Sequence, residues 1–244
     1  MRIVFSRKGF DSSYGGAPSP IVDGRPLSLP IPAGNGESTS FASLGLSKHV
    51  RGATRGRLTG RTRCHDDPMF DDGHCWLGQV GAAQGHLVKQ GVGPGDVFLF
   101  FGLFAEPQSG ERHHRIFGTM TVSAHGAPEE IRKVSDWREP PRAHPHFTGA
   151  WAANNCIWFG PGALARSASQ ALRLTVDGGP LNLWQVPAWL REHGLSYHAN
   201  AARWTQPDRL DSVKRGQEFV CDIGDADEPR QWLDAVLREI GSAD

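Results

Sequence analysis

Residues 64–75 concentrate side chains that can bind a metal ion or move a proton. The stretch reads Cys-His-Asp-Asp-Pro-Met-Phe-Asp-Asp-Gly-His-Cys, so eight of its twelve side chains are potential metal ligands. Carboxylates and imidazoles suit Zn, Fe, Mn or Mg, and cysteines shift the preference toward Zn. The spacing matches no standard zinc finger, and an acidic surface loop is the alternative. If this is a site, we expect His65, Asp66 and Asp67 to carry it, because an Asp-Asp-Pro turn presents carboxylates to one side.

A second candidate group is His144-Pro145-His146. Alternate residues of an extended segment lie on one face, so the two imidazoles could share a metal ion or one could act as a general base. The alternative is that both histidines decorate a polar loop. The cofactor is undetermined at this point, with a divalent metal as one candidate.

The opening of the chain, FSRKGFDSSYGG at residues 5–16, combines cations, an acid, neighbouring hydroxyls and glycines. A strand that ends in such a turn can hold an anion through a cation, hydroxyls and backbone N–H groups together. The stretch is neither a GxxxxGK[ST] phosphate loop nor a GxGxxG fingerprint followed by a helix. A purely structural strand and turn is the alternative.

A further acid, Glu218, stands at the head of a late strand in Gly-Gln-Glu-Phe-Val, residues 216–220. In NAD-consuming ribosyl-transfer enzymes an acid in a similar setting orients a ribose hydroxyl, which makes Glu218 a catalytic candidate. An ordinary strand start is the alternative, because the partner elements of such an enzyme are not recognisable. Neither a GxSxG elbow nor a Ser-His-Asp constellation is evident.

The composition indicates one domain, residues 1–244, whose elements are joined by many irregular loops. The chain is long enough for a sizeable core, and its 30 glycines and 17 prolines make up about a fifth of it. It has no apolar run of the ~18 residues that a membrane helix needs and no signal-peptide core. We therefore expect a cytoplasmic protein with no membrane partner and with its four cysteines reduced.

Charge is distributed unevenly although the net charge is zero, a balance that argues against a dedicated duplex-DNA binder. Residues 38–63 contain no acid but carry six cations: Lys48, Arg51, Arg55, Arg57, Arg61 and Arg63. Because the stretch is also rich in Gly, Ser and Thr, we predict a mobile basic loop over 33–63 rather than a helix. Such a loop is either simply solvated or an arm that contacts phosphate oxygens.

The apolar patterns predict an α+β fold. Strands are expected at residues 2–6, 97–104, 113–125, 155–160, 171–176 and 218–224, with the second and third forming a hairpin. Helices are expected at residues 76–90 and 228–241, and a short helix entered through Pro187 is expected within residues 181–194. The elements do not alternate regularly, which favours one mixed or mainly antiparallel sheet with Gly/Pro-rich loops and a C-terminal amphipathic helix.

Several stretches, in this order, resemble the nucleotide modification associated domain 3 family. They are MRIVFSRKGFDSSYGGAPSPI, LSLPIP, GAAQGHLVKQGVGPGDVFLFFGLF, IFGTM, HPH, IWFG and RGQEFVCD. The likeness runs from Met1 to about Trp232, and SRKGFDSS is its most specific part. At 64–68 this chain has Cys-His-Asp-Asp-Pro where the family leads us to expect a His-Leu-Asp-Pro-type motif. The resemblance implies a role in nucleic-acid base modification in bacteria or phages.

Given that resemblance, we expect a pocket for a phosphate-bearing ligand lined by Arg7, Lys8, Asp11, Ser12 and Ser13. Arg7 and Lys8 would neutralise phosphate, and Asp11 would bind a ribose hydroxyl or the base edge. Acid–base work or a divalent metal would fall to His65, Asp66, His144 or His146, with Asp67 as a further metal ligand. The other candidates for nucleotide binding in the matching segments are Ser19, Gln84, His86, Asn154 and Asn155.

Three functional hypotheses follow. The leading one is an enzyme that acts on a nucleotide or nucleic-acid base, working with partner proteins of a modification system. The second is a non-catalytic module that binds a modified base, because GVGPGDVFLFFG and HRIFGTMTV resemble a segment of PUA-like domains; Trp151 or Trp158 would stack on the base. The third is a nucleotide-binding structural subunit of such a system.

Overall fold

The structure is a computed structural model that describes residues 1–33, 39–214 and 216–242. The strands are β1 (Arg2–Arg7), β2 (Ser19–Val22), β3 (Arg25–Pro26), β4 (Ile31–Pro32), β5 (Cys64–His65), β6 (Met69–Asp71), β7 (His74–Gln79), β8 (Val97–Ala105), β9 (Arg112–Thr121), β10 (Ala124–Gly126), β11 (Cys156–Leu164), β12 (Leu183–Gln185), β13 (Trp204–Gln206), β14 (Arg209–Asp211) and β15 (Glu218–Asp222). The helices are α1 (Ser47–Ala53), α2 (Gly81–Lys89), α3 (Pro128–Ile131), α4 (Pro145–Thr148), α5 (Trp189–His193) and α6 (Asp227–Gly241). None of these helices is long and apolar enough to cross a bilayer.

A mixed sheet of ten strands organises the part of the chain that the structure describes. Its main path runs β15-β1-β8-β9-β11-β7-β6, with β10 paired to β11, β2 paired to β8 and β3 paired to β2. Strands β1 and β2 run parallel to β8, and the other pairs are antiparallel. Two smaller sheets, β12-β14-β13 and β4-β5, lie outside it. The predicted α+β class with a mixed sheet is confirmed.

Both faces of the central strands are covered, which explains the continuous apolar run VFLFFGLF. Leu99 and Phe101 of β8 pack into one core cluster with residues of α5 and α6. Phe98 and Phe100 point the other way and pack with Leu87 of α2. Since successive side chains of a strand alternate between faces, a strand buried on both faces must be apolar throughout.

The hairpin and the last helix match the sequence prediction closely. Strands β8 and β9 pair from Val97 opposite Thr121 to Ala105 opposite Arg112. Helix α6 buries Leu233, Val236 and Ile240 on one stripe, as its 3.6-residue periodicity predicts.

The single helix predicted over 76–90 is wrong in its first third. Residues His74–Gln79 form strand β7, which pairs with β11 on one side and β6 on the other. Helix α2 begins only at Gly81, whose positive φ of 64° lets the chain turn out of the strand. Apolar residues at helical spacing misled the prediction, because a strand covered on both faces needs no alternation.

One other predicted element also differs. The strand expected at 171–176 begins instead as a short 3-10 helix, Gln170–Leu172. Its later residues form only isolated bridges, Arg173 with Arg115 and Thr175 with Trp184. The short helix expected within 181–194 is α5, which begins two residues after Pro187, and strand β12 precedes it.

The stretch predicted as a basic loop contains helix α1 and a small core of its own. Phe41, Val50 and Cys64 are fully buried and pack with Phe10 from the opening stretch. These apolar residues, placed between cations, supply the packing that a short helix needs, and composition alone hid them. Residues 34–38, part of the predicted loop, lie outside the described residues.

Two buried histidines of β9 are expected to make the fold sensitive to acid. Burial, reinforced by nearby positive groups, lowers the pKa of His113 to about 4 and the pKa of His114 to about 3. His114 Nδ1 also accepts a hydrogen bond from Trp184 Nε1 (3.1 Å), which a proton would break. The unfolded chain takes up these protons near pH 6.5, so each histidine contributes fully above that pH. Below it we expect each to lose about 1.4 kcal/mol of stability per pH unit until its folded pKa is reached.

Urea unfolding at pH values from 7.5 to about 4.5 measures this slope. His114→Gln removes one of the two protons, so the slope should fall by about 1.4 kcal/mol per pH unit. The same slope in both proteins would show that His114 does not resist protonation in the fold.

Candidate functional site

One cavity of about 590 Å³ opens at the end of β1. It brings together parts of the opening stretch, of residues 64–67 and of the segment around His146. The residues that line it are Arg7, Lys8, Gly9, Asp11, Ser13, Tyr14, Ile31, Pro32, Ala33, His65, Asp67, Gly78, Gln79, Val80, His146, Trp151, Lys214, Gly216 and Gln217.

The end of β1 delivers the opening stretch to the cavity. Arg7 N donates to Gln217 O (2.7 Å) and Lys8 N donates to Phe101 O (2.8 Å), so the chain is held on both sides up to this point. Gly9 then turns away with φ 77°, and a Cβ there would lie 2.4 Å from Ser28 Oγ. Glycine is required at this turn, because another residue would combine a strained φ with a clash.

Asp67 lies at the centre of the reactive wall and is held as a carboxylate. Its Oδ1 accepts from Gly78 N (2.8 Å) and from His144 Nε2 (3.2 Å). His144 Nδ1 accepts from the His146 backbone N–H (3.3 Å), so the ring proton lies on Nε2 and points at Asp67. Burial alone would raise the pKa of Asp67, but the His144 hydrogen bond and nearby positive charge such as that of Lys8 outweigh it and hold the pKa below its ordinary value.

His146 presents one defined ring nitrogen to the cavity. Asn155 Nδ2 donates to His146 O (2.9 Å), which identifies Asn155 Oδ1 as the acceptor facing His146 Nδ1 (2.6 Å). The proton of His146 therefore lies on Nδ1 and its Nε2 keeps a lone pair. Burial lowers the pKa of His146 to about 4, so the ring is neutral at pH 7. The Trp151 ring stacks on it at 4.2 Å and 2°.

His65 completes a group of three potential ligands. Its Nε2 lies 4.0 Å from Asp67 Oδ2, and its ring lies edge-on to those of His146 and Trp151. One donor atom each from His65, Asp67 and His146 lie within 4.8 Å of one another. A carboxylate close to two imidazoles can hold a divalent metal or act in acid–base catalysis.

A buried ion pair lies beside the cavity, which Lys8 helps to line. Lys8 Nζ donates to Glu218 Oε1 (3.1 Å), with side chains that are 9% and 1% exposed. Ser6 Oγ (3.1 Å) and Gln79 Nε2 donate to the same oxygen, while Glu218 Oε2 is buried and has no hydrogen-bond partner among the residues that the structure describes. Burial raises the pKa of Glu218, and the contacts with Lys8 and Ser6 oppose that rise.

Arg7 and Lys8, the cations predicted to contact phosphate, both bind protein groups beside the cavity. Arg7 donates to Lys214 O (2.8 Å) and Val213 O (3.1 Å), so it also fixes that loop, and Lys8 is paired with Glu218. Lys214, which the sequence analysis missed, is exposed and lines the cavity. It follows Arg209–Asp211 in a loop without any local motif, so no sequence signal pointed to it.

The opening turn and two aromatic rings form the rim of the cavity. Asp11 Oδ1 accepts from Ser13 N (2.7 Å) and Tyr14 N (2.6 Å), which makes its carboxylate the centre of the turn. The side chains of Tyr14 and Trp151 are 50% and 36% exposed although both line the cavity. Exposed aromatic rings beside a cavity are suited to stack on a flat ligand such as a base. Tyr14 was another residue that the sequence analysis did not select.

Four predicted residues lie beside the cavity without lining it. Asp66 is ion-paired with Arg142 (Nε to Oδ2, 2.5 Å), and His144 and Asn155 support Asp67 and His146 from behind. Ser12 is exposed in the opening turn. The expectation that His144 and His146 share one face of an extended segment is wrong, because helix α4 begins between them and only His146 reaches the cavity.

Other predicted residues have contacts elsewhere in the fold. Ser19 Oγ accepts from Leu29 N (3.0 Å), Gln84 Oε1 accepts from Trp158 Nε1 (3.0 Å), His86 Nε2 contacts Ser196 Oγ (2.9 Å), and Asn154 bonds to both backbone groups of Gly81. None of these four side chains lines the cavity. Trp158 is fully buried in the core, so of the two tryptophans predicted to stack on a base only Trp151 is accessible to a ligand.

Comparison with known proteins assigns the chain to one family. The model of nucleotide modification associated domain 3 matches residues 2–222, a span that contains every residue lining the cavity. No curated protein and no solved structure matches the chain. The protein therefore belongs to the nucleotide modification associated domain 3 family, and the family name associates it with nucleotide modification systems.

Proposed function

We propose that this protein is an enzyme that modifies a nucleotide or a nucleic-acid base in a bacterial or phage modification system. The observation that carries the proposal is one cavity whose lining combines the group His65, Asp67 and His146 with the cations Arg7, Lys8 and Lys214. Its volume of about 590 Å³ lies within the usual range for small-molecule sites.

The residues that line the cavity fall into groups with different expected roles. Asp67, His65 and His146 are the reacting end, because they offer an ionised carboxylate and a neutral imidazole lone pair. Lys214 and Arg7 supply positive charge for a phosphate, while Tyr14 and Trp151 provide rings for the base. Glu218 and Asn155 are positioning residues in this scheme, since they bond to Lys8 and His146 respectively.

A basic surface beside the cavity favours nucleic acid over a free nucleotide as the substrate. We use the name basic segment for residues 39–63, in which all six cations are exposed. Arg57 donates to Gly15 O in the opening stretch, and at the end of the segment β5 pairs with β4, whose residues line the cavity. A nucleic-acid strand whose phosphates contact the basic segment would therefore pass the mouth of the cavity. A base of that strand that is not stacked in a duplex can enter the cavity there.

Salt dependence tests the nucleic-acid part of the proposal. A variant with Lys48, Arg51, Arg55 and Arg61 changed to Gln should bind a short mixed-sequence single-stranded DNA more weakly than wild type. Its plot of log affinity against log salt should be shallower by up to about 3, because each lost phosphate contact removes about 0.7. The matched control changes Lys89, Arg112, Arg191 and Arg238, four exposed cations outside the basic segment. Equal slopes for both variants would reject this substrate class.

Catalysis is tested by analysing nucleosides from cells that express the protein. DNA and RNA from a bacterial host producing wild type, Asp67→Asn or His193→Gln are digested to nucleosides. The nucleosides are separated by liquid chromatography and identified by mass spectrometry. We expect a modified nucleoside with wild type and His193→Gln and at least a 100-fold smaller amount with Asp67→Asn. Equal nucleoside profiles in all three strains, together with undiminished nucleic-acid binding, would favour the alternative.

That alternative is a non-catalytic module that binds a modified base in the same cavity. The stacked and half-exposed Trp151 is the observation that favours it. Binding would then depend on Trp151 and Tyr14 but not on Asp67, since ring stacking contributes about 1–3 kcal/mol per base.

A further inference from the structure

His65, Asp67 and His146 come from distant parts of the chain, yet their donor atoms converge. One donor atom of each lies within 4.8 Å of the others, and His65 Nε2 is 4.0 Å from Asp67 Oδ2. Ligands that share one ion at about 2.0–2.2 Å lie roughly 3–4 Å apart, so the three atoms are close to the spacing that one ion requires.

The hydrogen bonds around Asp67 and His146 leave one donor atom of each directed toward the group. Both contacts to Asp67 from Gly78 N and His144 Nε2 are made by Oδ1, which leaves Oδ2 on the side of His65. Asn155 binds His146 Nδ1 and thereby turns the Nε2 lone pair toward the cavity. In metal sites, residues that hydrogen-bond to the ligands commonly fix the tautomer of a ligating histidine and the orientation of a ligating carboxylate.

The same contacts exclude the other candidates from this group. His144 uses Nε2 toward Asp67 and Nδ1 toward the His146 backbone, so neither nitrogen is available. Asp66 is committed to Arg142, and neither it nor Cys75 lines the cavity.

We propose that His65, Asp67 and His146 bind one first-row divalent transition-metal ion, with Asn155 and His144 as its positioning residues. Two imidazoles and one carboxylate suit Zn²⁺, Fe²⁺, Mn²⁺ or Co²⁺, whereas Mg²⁺ and Ca²⁺ prefer all-oxygen sites. Three protein ligands leave further positions for water or a substrate oxygen on the cavity side. The proposal names the cofactor of the site in the proposed function, and it is tested without any nucleotide.

The first test is calorimetric titration of chelator-treated full-length protein with Zn²⁺ and, separately, Co²⁺. Wild type and His193→Gln, an exposed histidine on α5, should bind one equivalent. Asp67→Asn and His146→Gln should bind at least 100-fold more weakly, and Asn155→Ala about 10- to 100-fold more weakly, as expected for a supporting residue. Undiminished binding in Asp67→Asn, absence of binding in wild type, or equally tight binding of Mg²⁺ would overturn the proposal.

A second test uses wild type alone, in case a variant fails to fold. Histidine modification by diethyl pyrocarbonate, mapped by peptide mass spectrometry, should be slowed at His65 and His146 by one equivalent of Zn²⁺, but not at His193. Protection of neither residue, or equal protection of His193, would reject the site. A protein that modifies bases without binding metal would refute this inference alone. Metal binding without base modification would refute the proposed function alone.

Discussion

Gly78→Ala is expected to abolish the candidate site while leaving most of the fold in place. A Cβ on Gly78 would lie 2.1 Å from His146 Cδ2 and 2.2 Å from its Cγ, far closer than carbon atoms can approach. The strand that carries Gly78 is paired with β11 on one side, so the ring rather than the backbone must move. His146 would leave the cavity together with the Trp151 ring stacked on it.

The expected result is at least a 100-fold loss of Zn²⁺ affinity and of base modification, with a stability cost of about 1–3 kcal/mol from overpacking. Zn²⁺ calorimetry, nucleoside analysis and urea unfolding measure the three quantities. Gly85→Ala in helix α2 is the matched control, because no atom lies within 4 Å of its added Cβ and alanine favours a helix by about 0.5–1 kcal/mol. Full activity and metal binding in Gly78→Ala would mean that His146 has no part in the site.

Lys8→Met is expected to give the largest loss of stability among the substitutions considered for the cavity. Glu218 is 1% exposed, and Lys8 is its one ion-pair partner among the described residues. Removing that partner leaves a buried carboxylate whose remaining hydrogen bonds, within the described part of the chain, come from Ser6 and Gln79. Breaking a buried pair in this way costs about 3–5 kcal/mol, which urea unfolding at pH 8 would detect.

The double variant Lys8→Met with Glu218→Gln separates charge from shape. Because it removes the buried charge, it should recover most of the stability lost in Lys8→Met. The single variant should also lose less at pH 5 than at pH 8. Burial already raises the pKa of Glu218. A buried carboxyl group whose pKa is raised in the folded state favours folding when it is protonated, so the folded protein loses stability as the pH rises through that pKa. A loss independent of pH and unchanged in the double variant would show that Lys8 acts through packing alone.

The buried pair and the metal candidates are physically connected. Lys8 also lowers the pKa of Asp67 through its charge, although burial and the His144 hydrogen bond have larger effects. Gln79, which lines the cavity and donates to Glu218, follows directly from Gly78 on β7. Strand β7 therefore contacts the buried pair through Gln79 and packs against His146 through Gly78.

Local patterns in the sequence were sufficient for the elements that depend on near neighbours. The β8–β9 hairpin, the amphipathic α6 and the α+β class follow from apolar periodicity and turn residues, which act over a few positions. The same patterns failed for residues 74–79, because only pairing with β11 and β6 makes that stretch a strand. They failed again for α1, whose Val50 is buried by residues from the opening stretch.

The composition of residues 64–67 and 144–146 indicated which chemistry to expect, but not which side chains would perform it. Arg142 pairs with Asp66, whereas Gly78 N donates to Asp67, so Asp67 rather than Asp66 belongs to the site. Asn155 orients His146, which lines the cavity where His144 does not. These contacts join residues that are between 9 and 76 positions apart in the sequence. Lys214 and Gln217 reach the cavity only because β15 pairs with β1. Residue types and local periodicity are properties of the sequence itself, whereas the cavity exists only where the sheet brings remote segments within hydrogen-bonding distance.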